Sequence, residues 1–339
     1  MTREIRRRYE DPLDRIWTEA ARRIGLTVAR TPDAFATTDG RGALLLGDDA
    51  SLDADDCLAQ MIFHELCHSL VQGPESFERP DWGLENTDPR DLAREHACLR
   101  AQAHLAGRWG LRRVLAPTTD HRAFFDRLGP DPLAEDDASA SVSASASTEL
   151  ARLAIGRSAR PPWGPHLDDA LRASALVVAA AAPFADAGSL LGDVDAPRAR
   201  HPAGGWIHVA ATGGCGSCAW RGDVCAVVGA AVDPAWPPCE AFAAGLDCRA
   251  CGACCREGFD VVELEADDPF VARHGSLVER IDGRLVLRRV DGRCPPLSGD
   301  GCEVPFSCSV YDDRPRTCRD LEPGSDGCLV ARRRVGLSV

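Results

Sequence analysis

Thirteen of the sixteen cysteines fall between Cys215 and Cys328, and no other feature of the 339-residue chain constrains its fold as strongly. Gly, Pro and Cys-rich loops dominate that stretch, so a disulfide knot, zinc sites or iron–sulfur ligands must organise it. Only Cys57, Cys67 and Cys98 precede residue 200, where helical patterns prevail. The N-terminus, Met-Thr-Arg-Glu-Ile-Arg-Arg-Arg, lacks the apolar run of a secretory signal. The most apolar run, Ala173 to Ala182, is too short to span a bilayer and reads as a buried helix. The expected setting is cytoplasmic and reducing, where clustered cysteines bind metal rather than pair as disulfides. Strain in bridging the neighbours Cys254 and Cys255 argues the same way.

Composition narrows the function. A 45% hydrophobic content suits a soluble globular protein. With a net charge of -13 there is no basic excess to replace phosphate counterions, so neither nucleic acid nor a membrane is an expected partner. All 39 basic residues are Arg, which excludes a Schiff-base lysine and a Walker-type phosphate loop. Five segments follow: a helical metal-binding domain over 1–130, a flexible Ser/Ala-rich linker or loop over 131–149, a helical segment over 150–205 packing back on the first domain, a four-cysteine metal site over 206–245, and a cysteine-cluster domain over 246–339. The low-complexity run Asp136 to Thr148 marks the linker.

Ser51 and Asp53 as N-caps and Gly73-Pro74 as a stop predict one helix over 54–72. On it, His64-Glu65-Leu66-Cys67-His68 sets two imidazoles four residues apart on one face, with Glu65 beside them. In this HExxH pattern the histidines hold zinc and the glutamate is the general base. Cys57, seven residues before His64, shares that face. Asp88-Pro89-Arg90-Asp91 starts a second helix ending at Gly107, with Leu92, Leu99, Ala103 and Ala106 facing inward. Glu95 and His96 flank that stripe, and either reaches a metal held by the first helix. Residues 51–106 resemble the Glu-zincin metallopeptidases, which implies Glu95 as third ligand; Cys67 within the motif and His96 beside Glu95 depart from that family. His104, His121, His166, His201, His208 and His274 lack ligand spacing and read as ordinary residues.

The first cysteine cluster, Cys215-x2-Cys218-x6-Cys225-x13-Cys239, supplies four thiolates for one zinc or one iron–sulfur cluster. The second, Cys248-x2-Cys251-x2-Cys254-Cys255, is followed by Cys294, Cys302, Cys308 and Cys318, with Tyr311, Arg314, Pro315 and Arg319 nearby. These residues resemble the YkgJ-like CxxCxxCC family of zinc- or iron-chelating proteins. The resemblance implies that the eight cysteines hold metal, and it leans toward iron–sulfur chemistry; spacing leaves zinc and iron open, and Cys328 has no assigned role. Arg249, Arg256, Arg314, Arg316 and Arg319 are placed to offset thiolate charge.

The expected architecture is a mostly α, zincin-like N-terminal domain joined to a small, irregular α+β domain stapled by metal. Short strands are expected at Trp206 to Ala210 and Leu285 to Val290. Three functions compete. One is a zinc-dependent hydrolase of a protein or peptide, with His64, His68 and Glu95 on the metal and Glu65 activating water. Another is iron–sulfur redox or protein-modifying chemistry at the cysteine cluster. The third is a non-enzymatic metal-binding adaptor.

Overall fold

Asp11 accepts hydrogen bonds from the N–H groups of Leu13 and Asp14, and with Pro12 at the first turn it starts α1 (Pro12–Ile24). The computed structural model containing this helix describes residues 7–85, 91–134, 142–290, 292–301 and 304–338. It divides into two units, Met1–Arg198 and Ala199–Val339. In the first unit α1 buries Trp17, Ala20, Ala21 and Ile24, and stops at Gly25, whose φ of 107° suits a residue without Cβ. A small sheet follows, unexpected in a region read as helical. Its strands β1 (Thr27–Thr31), β2 (Ala36–Thr38) and β3 (Ala43–Gly47) lie in the order β1-β3-β2, with β1 parallel and β2 antiparallel to β3. Leu44 and Leu46, two residues apart and both buried, point to one face of it.

Helix α2 (Leu58–Gln72) is buried along almost its whole length and is flanked by α1, α3 (Leu92–Arg108) and α5 (Val142–Ser158). A helix enclosed this way carries apolar residues on every side rather than in one stripe. Its N-cap is Cys57, whose Sγ accepts the Gln60 N–H at 3.4 Å. Neither Ser51 nor Asp53 starts it, so the helix is four residues shorter than expected. The proposed start of α3 at Asp88 to Arg90 lies outside the described residues, and α3 continues through Gly107 to Arg108. Leu99, Ala103 and Ala106 are buried as expected, but Leu92 is exposed. Leu99 and Ala103 pack with Ala116 and with Phe125 and Leu128, in and just after α4 (Arg122–Arg127).

The linker expectation needs correcting. From Val142 onward the Ser/Ala-rich stretch is helix α5, with Ser147 and Thr148 buried and Ser147 Oγ accepting from Arg100 Nε at 3.2 Å. Ala is the strongest helix former, and packing of α5 on α3 completes what propensity begins. Helix α6 (His166–Ala181) packs on α1, where Trp17 Nε1 donates to Ser174 Oγ at 3.0 Å. It is amphipathic rather than buried throughout: Leu176 is 71% exposed.

The second unit begins at Ala199, inside the segment expected to end at 205, and joins the two cysteine regions in one body. Trp220, Cys225 and Ala243 from the first region pack with Leu329 from the second. Its regular elements are brief: α7 (Cys248–Cys251), α8 (Pro269–Arg273), α9 (Arg316–Arg319), α10 (Asp326–Arg334), the hairpin β4 (Val278–Ile281) with β5 (Arg284–Leu287), and the pair β6 (Leu297–Ser298) with β7 (Ser307–Cys308). The strand expected at Leu285 to Val290 is therefore present only to Leu287. Trp206 to Ala210 forms isolated bridges, Arg200 to Trp206 and Ile207 to Cys239, rather than a strand. No helix among the described residues is long and apolar enough to cross a membrane.

Candidate metal centres

His64, Glu65 and His68 of α2 and Glu95 of α3 line one cleft of about 430 Å³, together with Phe35, Ala36, Met61 and His121. His64 Nε2 and His68 Nε2 face each other at 3.1 Å. Glu95 closes a triangle with them: its Oε2 is 3.4 Å from His68 Nε2 and its Oε1 is 3.9 Å from His64 Nε2. Two ligands of a tetrahedral ion with bonds of about 2.0–2.1 Å lie about 3.4 Å apart, so the His64–His68 and His68–Glu95 separations each suit neighbouring ligands of one zinc. Glu95 Oε1 is buried without a hydrogen-bond partner, as a ligand atom aimed at an ion would be.

Gln102, which sequence reasoning missed, sets the tautomer. Its Nε2 donates to Leu115 O at 2.8 Å, which leaves Oε1 to accept from His64 Nδ1 at 2.9 Å. His64 therefore carries its proton on Nδ1 and presents the Nε2 lone pair to His68 and Glu95, the arrangement that metal-bound imidazoles adopt. Burial, reinforced by His64, lowers the pKa of His68 and keeps it neutral. For Glu95, burial opposes ionisation, but His68, His64, His121 and His96 outweigh it and hold the carboxyl below its usual range.

The choice between Glu95 and His96 is structural. His96 turns away and stacks flat on Phe124, with ring centroids 3.7 Å apart. Cys98 Sγ also comes within 4.8 Å of ligand atoms on both histidines. It faces His64 Nδ1 at 3.7 Å, however, on the side Gln102 occupies. Burial and its partner Cys67 push the Cys98 thiol far up, so it remains protonated. Glu95, on the Nε2 side of both rings, is the better candidate for a third ligand on geometry. Glu65 is buried at the cleft wall and accepts the Trp82 indole N–H at 2.8 Å. Cys57 serves as the cap of α2 rather than as part of the cleft.

In the second unit, glycines let the first CxxC turn tightly. A Cβ on Gly214 would meet Trp236 O at 2.5 Å, and one on Gly216 would meet Pro234 O at 2.9 Å. Burial raises the Cys215 and Cys239 thiols; Cys218 and Cys225 add to both, and Cys215 to Cys239, so the four share one field. His201, read as ordinary, is buried with Nε2 at 3.5 Å from Cys215 Sγ.

Around the CxxCxxCC stretch, burial raises Cys248, followed in effect by Cys254, Cys251 and Cys328. Cys328, on α10, adds to that shift and also packs beside Trp220 and Cys225 of the first cysteine region. Burial lifts Cys294 and Cys318 to about 11, with Cys254 and Cys308 contributing to each. Cys254 is driven up chiefly by Cys255, whose sulfur lies 3.9 Å away, and then by burial. Thiols held this high ionise only beside a strong positive charge, and a coordinated cation supplies it. Cys302 lies outside the described residues. Among the described residues no three cysteine sulfurs come within 4.8 Å of one another.

Of the arginines that the sequence reading placed beside the thiolates, Arg314 eases the Cys318 thiol downward, ahead of Arg289. Arg289, which that reading missed, donates to Cys254 O at 2.9 Å and eases the thiols of Cys254, Cys294 and Cys318 downward. Arg256 donates to Cys251 O at 2.8 Å, whereas Arg316 pairs with Glu265 and Asp267. Residues 247–328 match the family model named CxxCxxCC, a domain to which zinc or iron chelation is ascribed. This part of the chain is accordingly a metal-binding, cysteine-rich domain of the zinc- or iron-chelating kind. No curated protein and no solved structure matches the chain.

Proposed function

We propose that the protein is a zinc-dependent hydrolase of peptide or protein substrates, with its reaction in the N-terminal unit. The observation that carries this is the gathering of His64, His68 and either Glu95 oxygen, at separations of 3.1, 3.4 and 3.9 Å, at the wall of a cleft that also holds Glu65. Zinc held by these three residues supplies Lewis-acid activation of water and of a substrate carbonyl. Gln102 holds His64 in the ligating tautomer. Glu65 takes the proton of the attacking water and returns it to the leaving amine. Phe35, Ala36, Met61 and Leu84 give the cleft an apolar wall for substrate side chains.

In the same reading Cys215, Cys218, Cys225 and Cys239 hold one zinc ion or iron–sulfur cluster. Cys248, Cys251, Cys254, Cys255, Cys294, Cys302, Cys308 and Cys318 hold further metal and order a domain that recruits the substrate. The match over 247–328 also favours a second reading, with redox or protein-modifying chemistry at that cluster.

One pair of variants separates the two. Glu65→Gln should lower turnover of a fluorogenic peptide library by about 10²–10⁴-fold, the usual worth of a general base, with zinc content unchanged by elemental analysis. Turnover untouched by Glu65→Gln but lost in Cys254→Ser would refute the hydrolase and favour the cluster.

A further inference from the structure

Between α2 and α3 the backbone turns through two consecutive left-handed residues that are not glycine, Asp81 at φ 49° and Trp82 at φ 58°. Side chains with a Cβ avoid this region, and two in a row persist only where surrounding contacts hold them. The contacts are specific. Asp81 Oδ1 accepts from Thr37 Oγ1 at 2.5 Å and from the Thr38 N–H at 3.2 Å, which pins the turn to β2. A bridge between Asp39 and Pro80 adds a second tie. The Trp82 ring is 3% exposed and stands edge-on to Phe77 at 5.5 Å. Phe77 in turn lies 5.8 Å from Trp163, whose Nε1 donates to Ser69 Oγ of α2 at 2.8 Å. The one polar atom of the Trp82 side chain is thereby delivered to Glu65 Oε2 at 2.8 Å.

We propose that Trp82 is the positioning residue for Glu65. Its indole N–H holds Oε2 and fixes the carboxylate plane, so that the remaining oxygen is the one that takes the proton of the attacking water. An indole N–H donates only. It therefore occupies one oxygen as a donor and offers no competing acceptor for the water's proton. A glutamate free to rotate in the cleft would spend most of its time in unproductive orientations. The catalytic part of this inference rests on the hydrolase reading, whereas the hydrogen bond itself does not.

The experiment uses the full chain labelled with ¹⁵N, with and without added zinc. In both forms the Trp82 indole N–H, assigned by its absence in Trp82→Phe, should exchange with solvent far more slowly than the indole of an exposed tryptophan. Glu65→Ala should shift it and abolish the protection. A Trp82 indole that exchanges freely in the unsubstituted protein, or is indifferent to Glu65→Ala, overturns the proposal whatever the protein hydrolyses. Under the hydrolase reading, Trp82→Phe, which keeps an aromatic ring but removes the donor, should lower kcat about 10-fold or more. KM and zinc content should not change. Unaltered kcat, or a loss that appears only as the variant unfolds, also overturns it. Turnover indifferent to Glu65→Gln, with the indole still protected, sinks the hydrolase reading and leaves Trp82 as a positioner without that reaction, which overturns the catalytic half of the proposal.

Discussion

The histidine cluster and the cysteine-rich domain present candidate ligands from contrasting structural settings. In the N-terminal unit the three ligands ride on α2 and α3, helices of 15 and 17 residues. Packing of these helices on each other and on α5 holds the three side chains together by the fold alone. In the C-terminal unit the thiols sit on one-turn helices, a two-residue strand and loops: Cys248 and Cys251 on α7, Cys308 on β7, Cys318 on α9, and Cys294 between strands. Elements that short do not hold themselves in water. The first centre is preorganised by its fold, whereas in the second the ligands and the fold depend on each other. Binding free energy at the second is to that extent folding free energy.

Metal removal gives the largest contrast. A strong chelator should expose most backbone amides of residues 199–338 to hydrogen exchange and leave α2, α3 and α5 protected, because structural zinc contributes on the order of 10 kcal/mol to domains of this kind. Mass spectrometry by peptide reads both units in one experiment; equal loss of protection in the two would break the comparison.

A smaller effect tests the preorganised side. Gln102→Met removes the acceptor that sets the His64 tautomer. It should weaken zinc at that centre about 10–100-fold, the usual cost of losing such a partner. Helicity should be retained. Competition titration against a zinc-sensitive dye measures it, and unchanged affinity would show that packing alone orients the imidazole.

The smallest effect tests the loop-borne side. Gly252 lies between Cys251 and Cys254 at φ 55°, and a Cβ there would meet the Phe306 ring at 2.7 Å. Gly252→Ala should destabilise the second unit by about 1–2 kcal/mol for the left-handed backbone alone. Urea denaturation of the metal-loaded protein, followed by loss of thiolate–metal absorption, measures the shift. A wild-type midpoint would mean that the turn does not set the cysteine positions.

Local spacing made half of the histidine centre legible. Residues four apart on a helix share a face, so His64 and His68 followed from counting, and Glu65 with them. Gln102 was not legible, because its role depends on a carbonyl at Leu115 reached only through the fold. The third ligand was half legible: Glu95 and His96 are neighbours in sequence, and the Phe124 ring that captures His96 comes from another helix. The Ser/Ala-rich run was misread because its composition suits both linker and helix, and burial against α3 decides between them. Arg289 and Cys328 carry no motif; they stand at the thiols because a hairpin and a terminal helix bring them there.

The sequence by itself determined that two kinds of candidate ligand set exist, because residue type and close spacing are written in consecutive residues. It also determined that the chain lacks lysine. Only the tertiary structure decided whether Glu95 or His96 lies beside the two histidines, which nitrogen of His64 faces the cleft, and that a strained turn aims Trp82 at Glu65. These are contacts between residues far apart in the chain, and their geometry is set by how the helices pack on one another and on the sheet.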